Sequence, residues 1–250
     1  MKPVRAVVFD TDGVLLDSAV LHAAAWKTAF DGCQETWACG GERQRPFDAD
    51  QEYRELVDGK SRYDGARAFL TARGMDLPSG TPADEPGCAT VWAVAARKER
   101  AFTEILRTRG AQPFADVEPA LGALASAGVR CAAVSASRHA RSLLEAAGLL
   151  GLFELVVDGT DAARLALPGK PDPAVFLEAA RGLGAEPART AVVEDALAGV
   201  DAGRRGHFGL VVGIDRTGKP GGGPALLEHG ADVVAADLST LPGLMSRARP

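Results

Sequence analysis

Hydrophobic positions fall into two regimes along the chain. In the first, short β-branched runs are apolar at nearly every position: Arg5–Asp10 (RAVVFD), Val129–Ser135 (VRCAAVS), Glu154–Asp158 (ELVVD), Thr190–Asp195 (TAVVED), Phe208–Asp215 (FGLVVGID) and Ala231–Ala235 (ADVVA). Continuous apolarity, without alternation, is the pattern of strands buried on both faces of a parallel sheet. Segments with helical spacing lie between them. Ala120–Ala127 precedes the second run and Ala140–Leu149 follows it, Pro173–Leu183 precedes the fourth, Ala196–Arg204 follows it, and Pro224–His229 precedes the last. Strands alternating with helices predict βαβ units and an α/β fold, a Rossmann-like doubly wound parallel sheet.

In the second regime, residues 17–113, no run reads as a strand. Ser18 is placed to cap a helix running to Phe30, with Leu21, Ala25 and Trp26 on its apolar side. Glu52–Val57, Tyr63–Arg73 and Val91–Arg109 also read as helices, and Gly32–Phe47 and Thr81–Gly87 as loops. The expected organisation is a sheet domain made of residues 1–16 and 114–250, interrupted by an all-helical insert over residues 17–113.

Composition narrows the class. The 250 residues are 46% hydrophobic and 24% charged, which supports a packed core and excludes a mainly disordered chain. No apolar run reaches the roughly 18–20 residues of a membrane span, and the one before the first acid is too short for a secretory signal. A cytoplasmic protein without a membrane partner is expected. The formal charge is −5, and no basic stripe interleaved with aromatics is present, which argues against nucleic acid as a partner. Only 6 of the 28 basic residues are lysines, so a lysine inside a candidate motif is more informative than usual. Cys33, Cys39, Cys88 and Cys131 form no Cys-x-x-Cys pair and have no matching histidines. They are expected to be free thiols and neither disulfides nor zinc ligands. The oligomeric state stays open, and a monomer is compatible with the sequence.

The candidate chemistry sits at the carboxyl ends of the expected strands, where open α/β sheets bind ligands. The first strand closes with Asp10-Thr11-Asp12-Gly13, two acids able to meet one ligand beside a glycine that permits a sharp turn. The second closes with Ser135-Ala136-Ser137, hydroxyls able to hold phosphate oxygens. Gly169-Lys170-Pro171-Asp172-Pro173 supplies a point charge for phosphate. The fourth strand ends in Glu194-Asp195, carboxylates suited to a hard cation such as Mg²⁺. Each feature alone also fits a helix cap or a solvated charge. Their joint placement at successive strand ends points to a single site.

The segments VVFDTDGVLLDS (7–18), VSAS (134–137), GKPDP (169–173) and VVEDALAGVDAG (192–203) resemble the haloacid dehalogenase superfamily of phosphotransferases over nearly the whole chain. The resemblance implies a Rossmann-like core with a helical cap inserted after the first strand. It implies Asp10 as a nucleophile that becomes an aspartyl phosphate and Asp12 as general acid–base. Ser135, Ala136 and Lys170 would hold the phosphoryl group, and Mg²⁺ would sit on Asp10, Asp12 and Asp195 with Glu194 beside them. The second acid, absent from dehalogenases, argues for phosphoryl transfer. Within the superfamily the chain is similar to the β-phosphoglucomutase-like group, which implies a sugar phosphate as the small-molecule partner. It also implies that His22, Lys27, Arg62 and Lys98 contact that sugar from the cap and its hinge. As residues alone, Arg62 and Lys98 fit surface charges equally well, and His22 fits a packing histidine. The insert departs from the pattern by extra sequence around 33–45 and 81–87 and by Glu99, where a small amide is usual. Mutase and sugar-phosphate phosphatase both remain open, since both need the same core residues.

Overall fold

The computed structural model describes residues 4–38 and 45–247. Along the chain, strand β1 (Ala6–Asp10) is followed by helices α1 (Ala19–Asp31), α2 (Arg62–Ala72), α3 (Val91–Arg109) and α4 (Val117–Ser126). Next come β2 (Arg130–Val134), α5 (Ala140–Ala146), β3 (Leu155–Val157), α6 (Gly159–Arg164), α7 (Ala174–Gly182) and β4 (Thr190–Glu194). The chain ends with α8 (Leu197–Arg205), β5 (Leu210–Ile214), α9 (Gly222–Glu228), β6 (Val233–Ala235) and α10 (Leu241–Arg247). Chain contacts divide it into a unit of Met1–Asp17 with Gln112–Pro250 and a unit of Ser18–Ala111.

In the first unit all six expected strands are present and parallel, in the order β3-β2-β1-β4-β5-β6. Every residue of β1, β4 and β5 is buried, which explains their continuous apolarity. Ala6 and Val8 of β1 pack with Ala132, Val134, Val192 and Val211 against Val175, Phe176 and Ala179 of α7 and Leu183 just after it. The alternate residues Val7 and Phe9 point to the other face, where Phe9 meets Phe153 edge-on at 6.2 Å. Burying one such large side chain contributes about 1.5–3 kcal/mol. The chain leaves β1 toward β2 on one side and later reaches β4 on the other, so the strand order reverses beside β1, where such sheets open a crevice. Register aligns Asp10 with Val134 and Phe9 with Val193. The residues that follow these strands therefore emerge at one edge.

The second unit has no strand among its described residues. Trp26, Phe30, Phe47, Phe69, Leu70 and Val94 form its core, with Phe30 stacked on Phe69 at 3.8 Å. Helix α3 occupies the expected Val91–Arg109: the Thr90 side chain accepts the Ala93 N–H at its start, and Gly110 at φ 67° ends it. Ser18 stands at the start of α1, but its side chain makes no capping hydrogen bond, contrary to expectation, because its backbone is already helical (φ −108°, ψ −14°). Segment 45–48, expected to be loop, is loop but not loose. Phe47 is a core residue, and Arg73 donates to the Glu52 carboxylate at 2.8 and 2.7 Å and to the carbonyls of Arg45 and Pro46.

The cysteine expectation needs correction. Cys33 and Cys88 form a disulfide, with Cα atoms 5.6 Å apart. The C-terminus of α1 and the approach to α3 bring the two together across 55 residues, a pairing no local spacing could reveal. Cys131 is a free, buried thiol that burial pushes up to about 12. Cys39 lies outside the described residues. Helices α6 and α10 are additions to the expected set. Among the described residues no helix is long and apolar enough to cross a membrane.

Candidate active site

The segment after β1 is a closed turn. The Thr11 carbonyl accepts the N–H groups of Leu15 and Leu16, and Gly13 N–H donates to the Leu16 carbonyl at 2.9 Å. The Thr11 hydroxyl donates to the Val134 carbonyl at 2.9 Å, fixing the turn to β2. Gly13 has φ 79°, and a Cβ there would strike the Asp195 carboxylate. Glycine is thus required twice, for the turn and for contact with the end of β4.

Asp10 is buried, and one of its oxygens accepts the Asp12 N–H at 2.9 Å. Its other oxygen meets the Lys170 ammonium, which also donates to Glu194 Oε1 at 2.5 Å. Glu194 Oε2 accepts the Ala196 N–H at 2.6 Å, so both its oxygens are engaged. A side chain at Gly199 would displace this carboxylate. The Ser135 hydroxyl donates to Asp12 Oδ2 at 2.8 Å and accepts the Ser137 N–H at 2.9 Å. Ala136 follows it, with its carbonyl against Gly159, where a Cβ would not fit. Residues from the ends of β1, β2 and β4, with Lys170 from the segment between α6 and α7, thus gather around two carboxylates, Asp10 and Asp12.

Burial pushes the Asp10 carboxyl well above the usual carboxylate range, against the pull of Lys170 and with help from Glu194 and Asp12. Burial opposes the Lys170 charge, but Asp10 and Glu194 outweigh it and hold the ammonium above the usual lysine range. The cluster holds four carboxylates, Asp10, Asp12, Glu194 and Asp195, against this one ammonium. Among the described residues no group of three or more His, Cys, Asp or Glu side chains forms a closed metal-ligand set. An all-oxygen, water-completed site on one or two carboxylates is what Mg²⁺ uses. The surplus of carboxyl groups over ammonium and the closeness of Asp195 to the turn after Asp12 fit such an ion.

The other expected residues lie in the helical unit. Lys98 Nζ is 2.8 Å from His22 Nδ1. An ammonium only donates, so Nδ1 accepts. The His22 ring stacks on Phe102 at 4.0 Å. Arg62 pairs with Glu99 at 3.0 Å and lies over Trp92. Lys27 pairs with Asp31 at 2.8 Å and donates to the Phe47 carbonyl, which ties segment 45–48 to α1. Two contacts escaped sequence reading. Thr11 bonding to β2 had a signal, a β-branched hydroxyl at a strand end; Glu99 pairing with Arg62 had none.

The family model of the haloacid dehalogenase-like hydrolases matches residues 4–207. The chain belongs to this family. It is 45% identical over 242 residues to a β-phosphoglucomutase of Mycobacterium tuberculosis strain CDC 1551, covering 96% of this chain and 92% of that protein. It is 31% identical over 242 residues to the β-phosphoglucomutase of Bacillus subtilis, covering 95% and 91%. In fold it is similar to a crystal structure of β-phosphoglucomutase from Clostridium difficile, with TM-score 0.76, 21% identity and coverage of 98% and 97%. This member of the haloacid dehalogenase-like family is a β-phosphoglucomutase-like enzyme of the phosphotransferase and phosphatase class.

Proposed function

We propose that the protein moves a phosphoryl group on a sugar phosphate through an aspartyl phosphate on Asp10, most simply converting a β-sugar 1-phosphate to the 6-phosphate. One observation carries the reading: a second acid, Asp12, is held by Ser135 two residues beyond the buried Asp10. An Asp10 oxygen attacks phosphorus, the phosphorus–ester bond breaks, and the leaving oxygen takes the proton carried by Asp12. A sugar hydroxyl then attacks the phosphoryl group and gives its proton to the Asp12 carboxylate while the bond to Asp10 breaks. Splitting the transfer in two lowers each barrier. Lys170 offsets phosphate charge, Glu194 positions Lys170, and Ser135 and Ala136 receive phosphate oxygens. Mg²⁺ on Asp10, Asp195 and the Asp12 carbonyl would supply charge neutralisation between carboxylate and phosphate.

In this reading residues 17–113 serve as a cap domain on a core of residues 1–16 and 114–250, and the cap presents His22, Lys27, Arg62 and Lys98 to the sugar. The two similar β-phosphoglucomutases support the mutase choice. One observation favours a second reading, hydrolysis with water as acceptor. Arg62, the residue assigned to the distal phosphate, is already paired with Glu99, and a substrate must displace that carboxylate.

The test is β-glucose 1-phosphate with catalytic glucose 1,6-bisphosphate, followed by a coupled glucose 6-phosphate assay beside a phosphate assay. Faster formation of glucose 6-phosphate than of phosphate is expected. Phosphate alone establishes the phosphatase. Chelator should stop turnover and Mg²⁺ restore it; full activity in chelator removes the metal from the reading.

A further inference from the structure

Beyond β5 lies a residue that the chemistry above does not use. The Arg216 guanidinium donates to both oxygens of Asp116 at 2.9 Å each and to the Val14 carbonyl at 2.7 Å. It stacks on the Phe114 ring with its central carbon 3.8 Å from the centroid. The side chain is only 14% exposed. Asp116 is held from a second side by the Leu238 N–H at 2.8 Å. Although burial opposes its charge, these donors keep its carboxyl below the usual range. With both terminal nitrogens held and the plane packed on an aromatic face, the fork has little freedom to move, although its buried Nε finds no hydrogen-bond partner among the described residues.

What this fork grips is the turn that carries Asp12. Val14 lies two residues after Asp12, inside the turn closed on the Thr11 carbonyl. The neighbouring Leu15 carbonyl accepts the Phe114 N–H at 3.2 Å, and Asp17 N–H donates to the Gln112 carbonyl at 2.9 Å. Leu16 also bridges to Pro113. The outer side of the turn is therefore laced to segment 112–116, and Arg216 is the one side chain in these contacts that binds both the turn and that segment.

We infer that Arg216 is a positioning residue for the acid–base carboxylate: by tying Val14 to Asp116 it sets where the Asp12 turn stands relative to the end of β2, where Ser135 holds the Asp12 oxygen. The inference rests on the reading of Asp12 as proton donor. Its consequence is selective. Proton donation matters most for poor leaving groups, so a shifted Asp12 hurts alkyl esters more than nitrophenyl esters.

The experiment measures kcat/KM, which reports the step that breaks the ester bond, for 4-nitrophenyl phosphate, phenyl phosphate and an alkyl phosphate. Wild type, Arg216→Met, Arg216→Lys and Asp12→Asn are compared, with thermal melts of each. Arg216→Met should lose about 10²-fold on the alkyl ester, the scale of a misplaced catalytic group, and about threefold or less on the nitrophenyl ester, whose departure needs no proton. Arg216→Lys should show the same selectivity in milder form, and it carries the test if the Met variant does not fold. Equal losses on all three esters in the folded variants overturn the inference and make Arg216 a stabilising residue only. Failure of both variants to fold has the same meaning. If Asp12→Asn itself shows no leaving-group dependence, the acid–base reading falls and the inference falls with it. Selectivity in Asp12→Asn without selectivity in Arg216→Met removes the inference alone.

Discussion

Among the described residues two lysines are buried, and their surroundings differ. Lys170, 3% exposed, lies in the sheet unit between the carboxylates of Asp10 and Glu194. Lys98, 6% exposed, lies in the helical unit against His22 Nδ1, with the Phe102 and Trp26 rings at 4.6 and 5.6 Å. The first ammonium is matched by formal charge. The second has the His22 ring nitrogen and two aromatic faces among its contacts, the faces each worth about 0.5–2 kcal/mol. A lysine fixed between two carboxylates belongs to a permanent charge arrangement. The difference runs between the unit proposed to hold the reacting groups and the unit proposed to grip the sugar.

The largest expected effect removes the group that Lys170 serves. Asp10→Asn keeps the shape and the Lys170–Glu194 contact but replaces the carboxylate with a poor nucleophile. Turnover should fall by at least about 10⁴-fold, in the range seen when a nucleophile is removed, while circular dichroism stays that of wild type. Sustained multiple turnover, with hydrolysis of the amide back to Asp excluded, breaks the covalent reading.

Lys170→Met comes next, because it leaves Asp10 and Glu194 buried without their cation. A stability loss of about 3–5 kcal/mol is expected from urea unfolding, together with a fall in activity of at least about 10³-fold. The pH dependence has a definite sign. Burial already raises the Asp10 carboxyl in the native protein, and loss of Lys170 raises it further. A carboxyl raised on folding contributes stability below its unfolded pKa and loses it as pH rises through the folded value. The penalty should therefore be smaller at pH 5 than at pH 8. A penalty that grows toward acid contradicts the charge assignment.

Lys98→Met is the matched substitution in the other unit. A thioether packs well against aromatic rings, so stability should change by about 1 kcal/mol or less. Sugar-phosphate KM should rise about tenfold, the value of one charge-assisted contact, with a much smaller effect on 4-nitrophenyl phosphate. A stability loss as large as that of Lys170→Met removes the contrast and makes Lys98 a structural charge.

The same contrast explains what was legible in the sequence. Asp10 and Lys170 are 160 residues apart and His22 and Lys98 only 76, yet the more distant pair was easier to read. Parallel register fixes where strands end, so the acids and hydroxyls that close β1, β2 and β4 must emerge at one edge, while Lys170, between α6 and α7, was legible from the motif around it. All six strands and helix α3 could be placed because continuous apolarity and helical spacing are local signals. The partners of helical residues depend on how helices pack, which spacing does not encode. Hence Arg62 was expected to meet a substrate and its pairing with Glu99 was not foreseen, and Lys27, besides its i,i+4 partner Asp31, turned out to be tied to the Phe47 carbonyl. Helix α6 had a readable start, Asp158 and Asp161 in a reciprocal capping box, that its short length obscured. Arg216 had no motif at all; its partners come from Val14 and Asp116, far apart in sequence.

The smallest expected effect on chemistry concerns the Cys33–Cys88 disulfide, whose loss should separate the two units in stability. The bridge lies wholly in the helical unit, joining the end of α1 to the segment before α3, where the Trp37 indole also donates to the Cys88 carbonyl at 2.9 Å. Closing a loop of this separation restricts the unfolded chain by about 4 kcal/mol on the chain-entropy account. Both cysteines lie in the unit Ser18–Ala111, which contains none of β1, β2 or β4. A Cys33→Ser, Cys88→Ser double variant, or the native chain in reductant, should melt earlier in calorimetry while hydrolysing 4-nitrophenyl phosphate at the wild-type rate at 25 °C. A reducing compartment would hold the pair as thiols, and a mass difference of two hydrogens between the forms checks which state is present. Equal loss of melting temperature and of small-ester hydrolysis would show that the reacting groups depend on the helical unit, and the division between a fixed charge centre and a substrate-gripping unit would have to be abandoned.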